Sequence, residues 1–198
     1  MSRRQIVIIA AVVLLAVGGG WVLFVGLPRG YGRPAQQQDG VAQSSAASPA
    51  AQRKITATLY YVSPDGMWLI GAQREVPFGD PIAEQARRIV EAQLVDAPEP
   101  LASALPRGTT LRALFVSDRG DAFVDLTGEV TSRHTGGSLD ELFTVYAIVN
   151  ALTVNLPAIT RVQILVDGKE VDTLAGHVDL RHPLQKDLKW VRSDKEGS

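Results

Sequence analysis

The chain has 198 residues, a formal net charge of −1 and no cysteine. The charge is unevenly distributed, because residues 54–198 carry 15 basic and 20 acidic side chains. An acidic region repels phosphate backbones, so nucleic acid is not expected as a partner. The lack of cysteine excludes disulfides, cysteine nucleophiles and lipid attachment at a cysteine.

Residues 6–27 form an uncharged apolar segment that follows a short flank, residues 1–5. A helix of this length spans roughly 33 Å, enough for a hydrocarbon core of about 30 Å. We therefore predict one uncleaved transmembrane anchor. A cleaved signal peptide is the alternative, although Ala16-Val17-Gly18 is a poor cleavage site and the apolar segment continues past it.

The charges around the anchor give only a slight preference for an amino terminus inside the cell. We predict a single-pass protein of the bacterial inner (cytoplasmic) membrane with an extracytoplasmic carboxyl-terminal domain. Residues 28–53 are rich in Gly, Pro, Gln, Ser and Ala and predict a flexible linker. Residues 54–184 are predicted to fold as one domain, and residues 185–198 form a charged tail.

The domain begins with alternating residues that predict a strand over 55–62, followed by a turn and short extended pieces at 67–70 and 74–76. Asp80 and Pro81 predict the start of a helix, with Asp80 as its N-cap. Residues 111–117 and 122–127 predict a hairpin around Gly120. Ser138 and Glu141 form a capping-box pattern that predicts the start of a second helix.

Strands are then predicted over 161–166 and 171–180, joined by a turn at 167–169. The order of elements predicts an α+β fold of the β-α-β-β-α-β type. In this fold two helices pack on one face of a mixed β-sheet.

The second helix carries apolar residues on two sides. Val145, Ile148 and Leu152 lie almost opposite the predicted core stripe of Leu139, Phe143 and Tyr146. A helix that is apolar on two sides is covered on both. One interpretation is that the carboxyl-terminal segment packs over the second side, through Leu188, Trp190 or Val191. The other is that Val145, Ile148 and Leu152 form a docking face for a partner protein.

Six segments occur in an order that resembles the GerMN domain of sporulation, germination and envelope proteins. They are 59–61 with 74–77, 105–109, 122–126, 149–153, 162–169 and 176–180. The resemblance implies a compact α+β domain akin to ring-building motifs, with no enzyme activity and no cofactor. It also implies a membrane-tethered protein that supports envelope assemblies. The motif turns contain Asp167, Gly168, Gly176, His177 and Asp179. The chain departs from the family in having one copy and in carrying Val95-Asp96-Ala97-Pro98 in place of the usual Gly-Pro.

Two further chemistries are weighed against this interpretation. His177 and Asp179, with Asp167 and Asp172 nearby, suggest a metal site, but a bend capped by side-chain hydrogen bonds explains the pattern more simply. We therefore assign no metal ligand and no catalytic residue. A hydrolase is not indicated, because the chain contains no Gly-x-Ser-x-Gly motif and no obvious serine partner for His134 or His182.

We predict a non-enzymatic scaffold module that binds other envelope proteins or peptidoglycan, with self-association as a further option. Sporulation, germination and cell-wall assembly are the processes that the resemblance suggests. A domain that binds glycans or small ligands is the alternative. Its stacking residues would be Tyr60, Tyr61, Trp68 or Trp190.

Overall fold

The computed structural model describes residues 53–192. The predicted flank, the anchor at 6–27 and all of the linker except Arg53 lie outside these residues. Within 53–192, no helix is both long enough and apolar enough to span a bilayer.

The elements in chain order are strands and helices of mixed length. They are β1 (Lys54–Val62), β2 (Leu69–Pro77), α1 (Ile82–Gln93), β3 (Leu111–Val116), β4 (Asp121–Leu126), α2 (Glu129–Ser132), α3 (Ser138–Asn155), β5 (Arg161–Val166), β6 (Lys169–Glu170), β7 (Leu184–Gln185) and β8 (Val191–Arg192). The main elements follow the predicted order, with a two-stranded hairpin in place of the first strand.

The strands form two sheets, which corrects the predicted single sheet. The first sheet has the order β1-β2-β8, and the second has the order β3-β4-β5-β6 with β7 also paired to β5. Each sheet is mixed, because β2 pairs with β8 and β4 with β5 in parallel while the hairpins are antiparallel. Helix α1 contacts β1, β2 and β3, and α3 contacts β1, β5 and β7. The two helices therefore pack against both sheets rather than on one face of one sheet.

The outer edge of β1 explains why no strand of the second sheet joins it. Asn155 accepts from the Thr58 N–H at 2.8 Å and donates to its carbonyl at 2.7 Å. Gln93 bonds both backbone groups of Tyr60 in the same way, at 2.9 and 2.7 Å. Ala102 exchanges two backbone bonds with Val62. Side-chain amides at the ends of the two helices thus occupy the positions that a neighbouring strand would fill.

Helix α3 is enclosed on both of its apolar sides. Val145, Ile148 and Leu152 are fully buried. The docking face predicted from these residues is therefore wrong for the folded domain, because they lie inside the core. The carboxyl-terminal segment does pack on α3, since Asn150 exchanges hydrogen bonds with the backbone of Asp187 at 2.8 and 3.1 Å.

Both predicted helix caps differ from the structure. Helix α1 begins at Ile82 after Pro81, α3 begins at Ser138 after Gly137, and neither has a side-chain cap. The Glu141 carboxylate instead accepts backbone N–H groups from the loop after β6, which belong to Leu174, Ala175 and His177 at 2.7–2.9 Å. The strand predicted over 171–180 is therefore wrong, because these backbone donors bond to Glu141 rather than to a neighbouring strand.

Two tight turns match the sequence prediction. Gly120, at φ +82°, lies in the β3–β4 hairpin. Asp167 and Gly168 both have positive φ, as a two-residue hairpin turn between β5 and β6 requires. The domain boundary at 184 is corrected, because β8 pairs with β2 and brings the chain up to Arg192 into the fold.

Candidate functional site

The predicted stacking aromatics do not share an exposed surface. Tyr60 and Tyr61 are buried in the core, whereas Trp68 is 39% exposed and Trp190 is half-buried. Trp68 and Trp190 do lie near each other, because the Leu69 N–H, next to Trp68, donates to the Trp190 carbonyl. The prediction that Tyr60 and Tyr61 stack against a glycan is therefore wrong, because a ligand cannot reach buried rings.

The side chains of the turns that resemble the GerMN motif form hydrogen bonds within the domain. The Asp125 carboxylate accepts from the Gly168 N–H at 2.7 Å, and Asp167 accepts from the Gly128 N–H at 3.2 Å. His177 and Asp179 are exposed, and paired hydrogen bonds from the Arg181 guanidinium hold the pKa of Asp179 well below its usual range.

A metal site at these turns has no support in the geometry. Among residues 53–192, no three His, Asp or Glu side chains lie close enough together to hold a metal ion. Gly176 has φ +97° and its N–H donates to the Thr173 hydroxyl, as expected for a bend rather than a ligand cluster.

A cleft of about 450 Å³ lies between the loop after α1 and the start of α3. We call it the 102–107 cleft. Apolar side chains contribute much of its lining, namely Val62, Ala102, Ala104, Leu105, Pro106 and Phe143. A second cavity of about 660 Å³ adjoins it and shares much of the same loop. The 102–107 loop is thus bordered by open space on two sides.

A tight turn shapes this loop. The Thr109 hydroxyl donates to the Pro106 carbonyl at 2.8 Å. Gly108 has φ +85°, and a Cβ at this position would lie 3.0 Å from the Arg133 Nη1 atom. The positive φ favours glycine at this position, and another side chain would also displace the end of the Arg133 side chain.

Two arginines lie at the cleft. Arg107 and Arg133 are both exposed, and the Arg133 Nη1 atom donates to the Arg107 carbonyl at 3.4 Å. Neither forms an ion pair with any residue in the described part of the chain. Asp140 is the acidic residue of the lining, so the charged lining residues sum to +1 with His134 neutral.

Glu129 is an acidic residue just outside the cleft lining, and its pKa is affected by Arg133. The pKa of Glu129 is lowered, first by a hydrogen bond from the Thr127 hydroxyl, then by its own backbone N–H and, less, by the charge of Arg133. Glu129 therefore offsets part of the positive charge of Arg133, although the two side chains form no direct ion pair.

His134 is fixed by a hydrogen-bond chain behind the arginines. Its Nδ1 atom accepts from the Gly136 N–H at 3.0 Å, which places the proton of the neutral ring on Nε2. Nε2 lies 3.2 Å from the Thr144 hydroxyl, whose own proton points to the Ala104 carbonyl at 2.6 Å. The Ser103 hydroxyl bonds to the backbone of Leu105. These hydroxyls hold the loop in place.

Sequence reasoning missed most of this site. Arg107 lies in the segment 105–109 that resembles the GerMN domain. No sequence pattern predicted a role for Arg133, and His134 was weighed only as a catalytic residue of a hydrolase. A weak signal was available, because Arg133 and His134 precede the glycine pair Gly136-Gly137 between two helices. Such a loop positions side chains at a domain surface.

Comparison with known proteins defines the family. A family model described as Germane, sporulation and spore germination, matches residues 58–172, which is more than half of the chain. No curated protein matches significantly. The first GerMN domain of the sporulation protein GerM from Bacillus subtilis is 20% identical with a TM-score of 0.50, covering 67% of this chain and 96% of that one. The tandem GerMN domains of the same protein are 20% identical with a TM-score of 0.53, covering 69% of this chain and 46% of that one.

These structural likenesses show a shared fold. The family model confirms the resemblance predicted from the sequence. The chain spans just under half of the tandem structure, which agrees with its single matched domain. The chain therefore belongs to the Germane family of GerMN-type domains.

Proposed function

We propose that this protein is a non-enzymatic binding module of the bacterial envelope, tethered to the membrane through residues 6–27. Its folded domain lies outside the cytoplasm and holds another envelope protein in the 102–107 cleft. Membership of a family described by sporulation and spore germination supports a role in one of these processes or in cell-wall assembly.

The pair of arginines at the cleft carries this proposal. Two exposed guanidinium groups that lack an ionic partner in residues 53–192 adjoin an apolar lining. A guanidinium recognises a carboxylate through two parallel hydrogen bonds, and an apolar lining binds the carbon atoms next to it. We infer that the partner contributes a segment with an acidic residue flanked by apolar ones.

The hydroxyl groups near the cleft support a binding role rather than catalysis. The Thr144 hydroxyl is committed to backbone carbonyls of Ala104 and Asp140, and His134 is committed to Thr144 and Gly136. A nucleophile needs a free lone pair directed at substrate and a base within reach. In this arrangement both groups are used to hold the loop.

Arg133→Glu tests the proposal. Losing a charge-assisted hydrogen bond costs about 1.5–3 kcal/mol, which corresponds to roughly a 10- to 100-fold weaker affinity. We expect that affinity purification of the full-length variant from native membranes recovers correspondingly less of the envelope protein that accompanies the wild type.

Lys186→Glu is the matched control, since Lys186 is exposed and lies outside the cleft lining. Equal recovery of the partner with Arg133→Glu and wild type would contradict the proposal, provided that the two proteins have the same melting temperature.

A small carboxylate ligand from the cell wall is the second candidate. The volume of the 102–107 cleft falls within the range of small-molecule sites, about 300–1,000 Å³. Binding of peptidoglycan fragments to the full-length protein, abolished by Arg133→Glu, would favour this candidate over a protein partner.

A further inference from the structure

The His134 ring is hydrogen-bonded toward both walls of the 102–107 cleft. Its Nε2–H donates to the Thr144 hydroxyl of α3 at 3.2 Å, and that hydroxyl donates to the Ala104 carbonyl at 2.6 Å. Its Nδ1 atom accepts from the Gly136 N–H at 3.0 Å. One half-buried imidazole thus connects the 102–107 loop to residues 135–137, which we call the 135–137 loop.

The 135–137 loop has few other attachments. Of the backbone N–H groups of residues 135–138, that of Gly136 is the one with a hydrogen-bond partner in the described part of the chain. The Thr135 hydroxyl also donates to the Asp140 carboxylate, but this bond is exposed and long, at 3.3 Å. The acceptor nitrogen of His134 is therefore the main attachment of this loop ahead of the first helical bond of α3.

Protonation of the ring removes this acceptor. A neutral imidazole has one donor and one acceptor nitrogen, whereas an imidazolium has two donors. A proton taken up from solvent by Nδ1 of His134 points at the hydrogen of the Gly136 N–H, so that bond breaks. Nε2 keeps its proton, and the bond to Thr144 remains. The charge change therefore detaches the 135–137 loop and leaves the ring attached to α3.

Two glycines allow the detached loop to change conformation. Gly136 has φ +84° and Gly137 has φ +92°, and glycine adopts either sign of φ at little cost. Helix α3 begins directly after Gly137 without a side-chain cap. Loss of the His134 bond thus frees both glycines together with Thr135, which is part of the cleft lining.

We propose that His134 is a pH-sensitive switch of the 102–107 cleft. At neutral pH the ring holds the 135–137 loop as part of one wall, and at acidic pH the protonated ring releases it. Histidine is the side chain whose charge ordinarily changes between about pH 5 and about pH 8. This switch rests on the proposed function, because it acts on the same cleft, and it adds the condition under which the partner is released.

The charged side chains around the ring decide the direction of the effect. Arg107 of the 102–107 loop, Arg133 and Asp140 of α3 line the cleft with His134. Glu129 of α2 lies near Arg133. One more positive charge attracts an acidic partner by about fivefold or less at an exposed site. Ordering the released residues again on binding lowers the affinity by roughly tenfold or more. Acid therefore weakens binding overall.

His134→Asn tests the switch without removing the acceptor. An Asn side chain bonds the backbone N–H two residues later in the chain, so it replaces the bond to Gly136, and it does not titrate. The chain has three histidines. The double variant His177→Asn/His182→Asn is the matched control, because both residues are exposed and lie outside the cleft lining.

Hydrogen exchange of the full-length proteins, followed by mass spectrometry at about pH 7.5 and about pH 5.5, measures the state of the loop. The proteins are compared with one another at each pH, so the intrinsic effect of pH on exchange cancels. At the acidic pH we expect peptides that contain Gly136 to exchange roughly tenfold faster in wild type than in His134→Asn. At neutral pH the rates should be equal, and the control should follow wild type throughout.

Recovery of the accompanying envelope protein from native membranes at the same two pH values tests the effect on the cleft. We expect roughly tenfold less of it with wild type at acidic pH and an unchanged amount with His134→Asn. Equal exchange of the two proteins at acidic pH would overturn the proposal. A loop that opens while the partner stays bound, or acid release shared by both proteins, would overturn it too. Failure to recover any partner at neutral pH would contradict the proposed function instead, and the exchange comparison would still decide whether His134 controls the loop.

Discussion

At the scale of single residues, Glu141 stabilises a long loop, and no cationic side chain in residues 53–192 forms an ion pair with it. Its side chain is fully buried, and its two oxygens accept from three backbone N–H groups between Leu174 and His177. Burial opposes ionisation, but together these backbone donors and that of Val178 lower the pKa of the carboxyl below its ordinary value of 4.5. The loop acts as an anion-binding nest for a side chain of the same domain.

This arrangement predicts a stability that depends on pH. Because the pKa of Glu141 is lower in the folded state, its contribution is complete above about pH 4.5 and is lost as the pH falls through the folded pKa. Glu141→Gln places an amide NH₂ among backbone donors, and we expect it to destabilise the domain by on the order of 3 kcal/mol at pH 7.

Thermal unfolding of the full-length protein, followed by circular dichroism from pH 7 to pH 3, measures both effects. The melting temperatures of wild type and Glu141→Gln should converge as the pH falls. Glu91→Gln, at an exposed acid on α1, should follow wild type throughout. A constant difference between wild type and Glu141→Gln would show that the Glu141 charge is not the stabilising feature.

At the scale of elements, the ends of both long helices close the edge of β1. Gln93 is fully buried, and its amide bonds both backbone groups of Tyr60. Gln93→Leu keeps a similar volume but leaves a buried N–H and a buried carbonyl without partners. We expect a loss of about 3 kcal/mol in the free energy of unfolding.

Urea denaturation of the full-length variant tests this expectation. Gln73→Leu serves as the comparison, because Gln73 is exposed on β2, and a change of less than about 0.5 kcal/mol is expected there. A loss no larger for Gln93→Leu than for Gln73→Leu would mean that the amide does not support the strand edge.

The sequence predicted elements whose causes are local. The β3–β4 hairpin and the turn at Asp167 and Gly168 follow from residues that favour positive φ, and both were predicted correctly. The capping box was wrong because the Glu141 partners lie 33 to 36 residues away in the chain. The second sheet was missed because Asn155 reaches Thr58 across 97 residues. The periodic spacing of apolar residues does not indicate hydrogen bonds between a side chain and a backbone group that is distant in the sequence.

At the scale of the whole molecule, the two apolar sides of α3 had two interpretations in the sequence, and the structure supports the one in which the carboxyl-terminal segment packs on the helix. Val145, Ile148 and Leu152 are fully buried in the core, so the partner surface that was the other interpretation is not present on the folded domain. The open feature lies elsewhere, at the 102–107 cleft. Its arginines were not predicted from the sequence, because the absence of an ion pair is known only when the fold shows which residues are neighbours.

Photo-crosslinking in living cells tests the central claim most directly. A photoreactive amino acid replaces Ala102, an exposed residue of the cleft lining, in the full-length protein, and Lys186 provides the control position outside the lining. The account predicts one specific adduct with an envelope protein from position 102, greatly reduced when Arg133→Glu is added and absent from position 186. The same adducts from both positions, or an adduct that Arg133→Glu leaves unchanged, would contradict the claim that this cleft holds the partner.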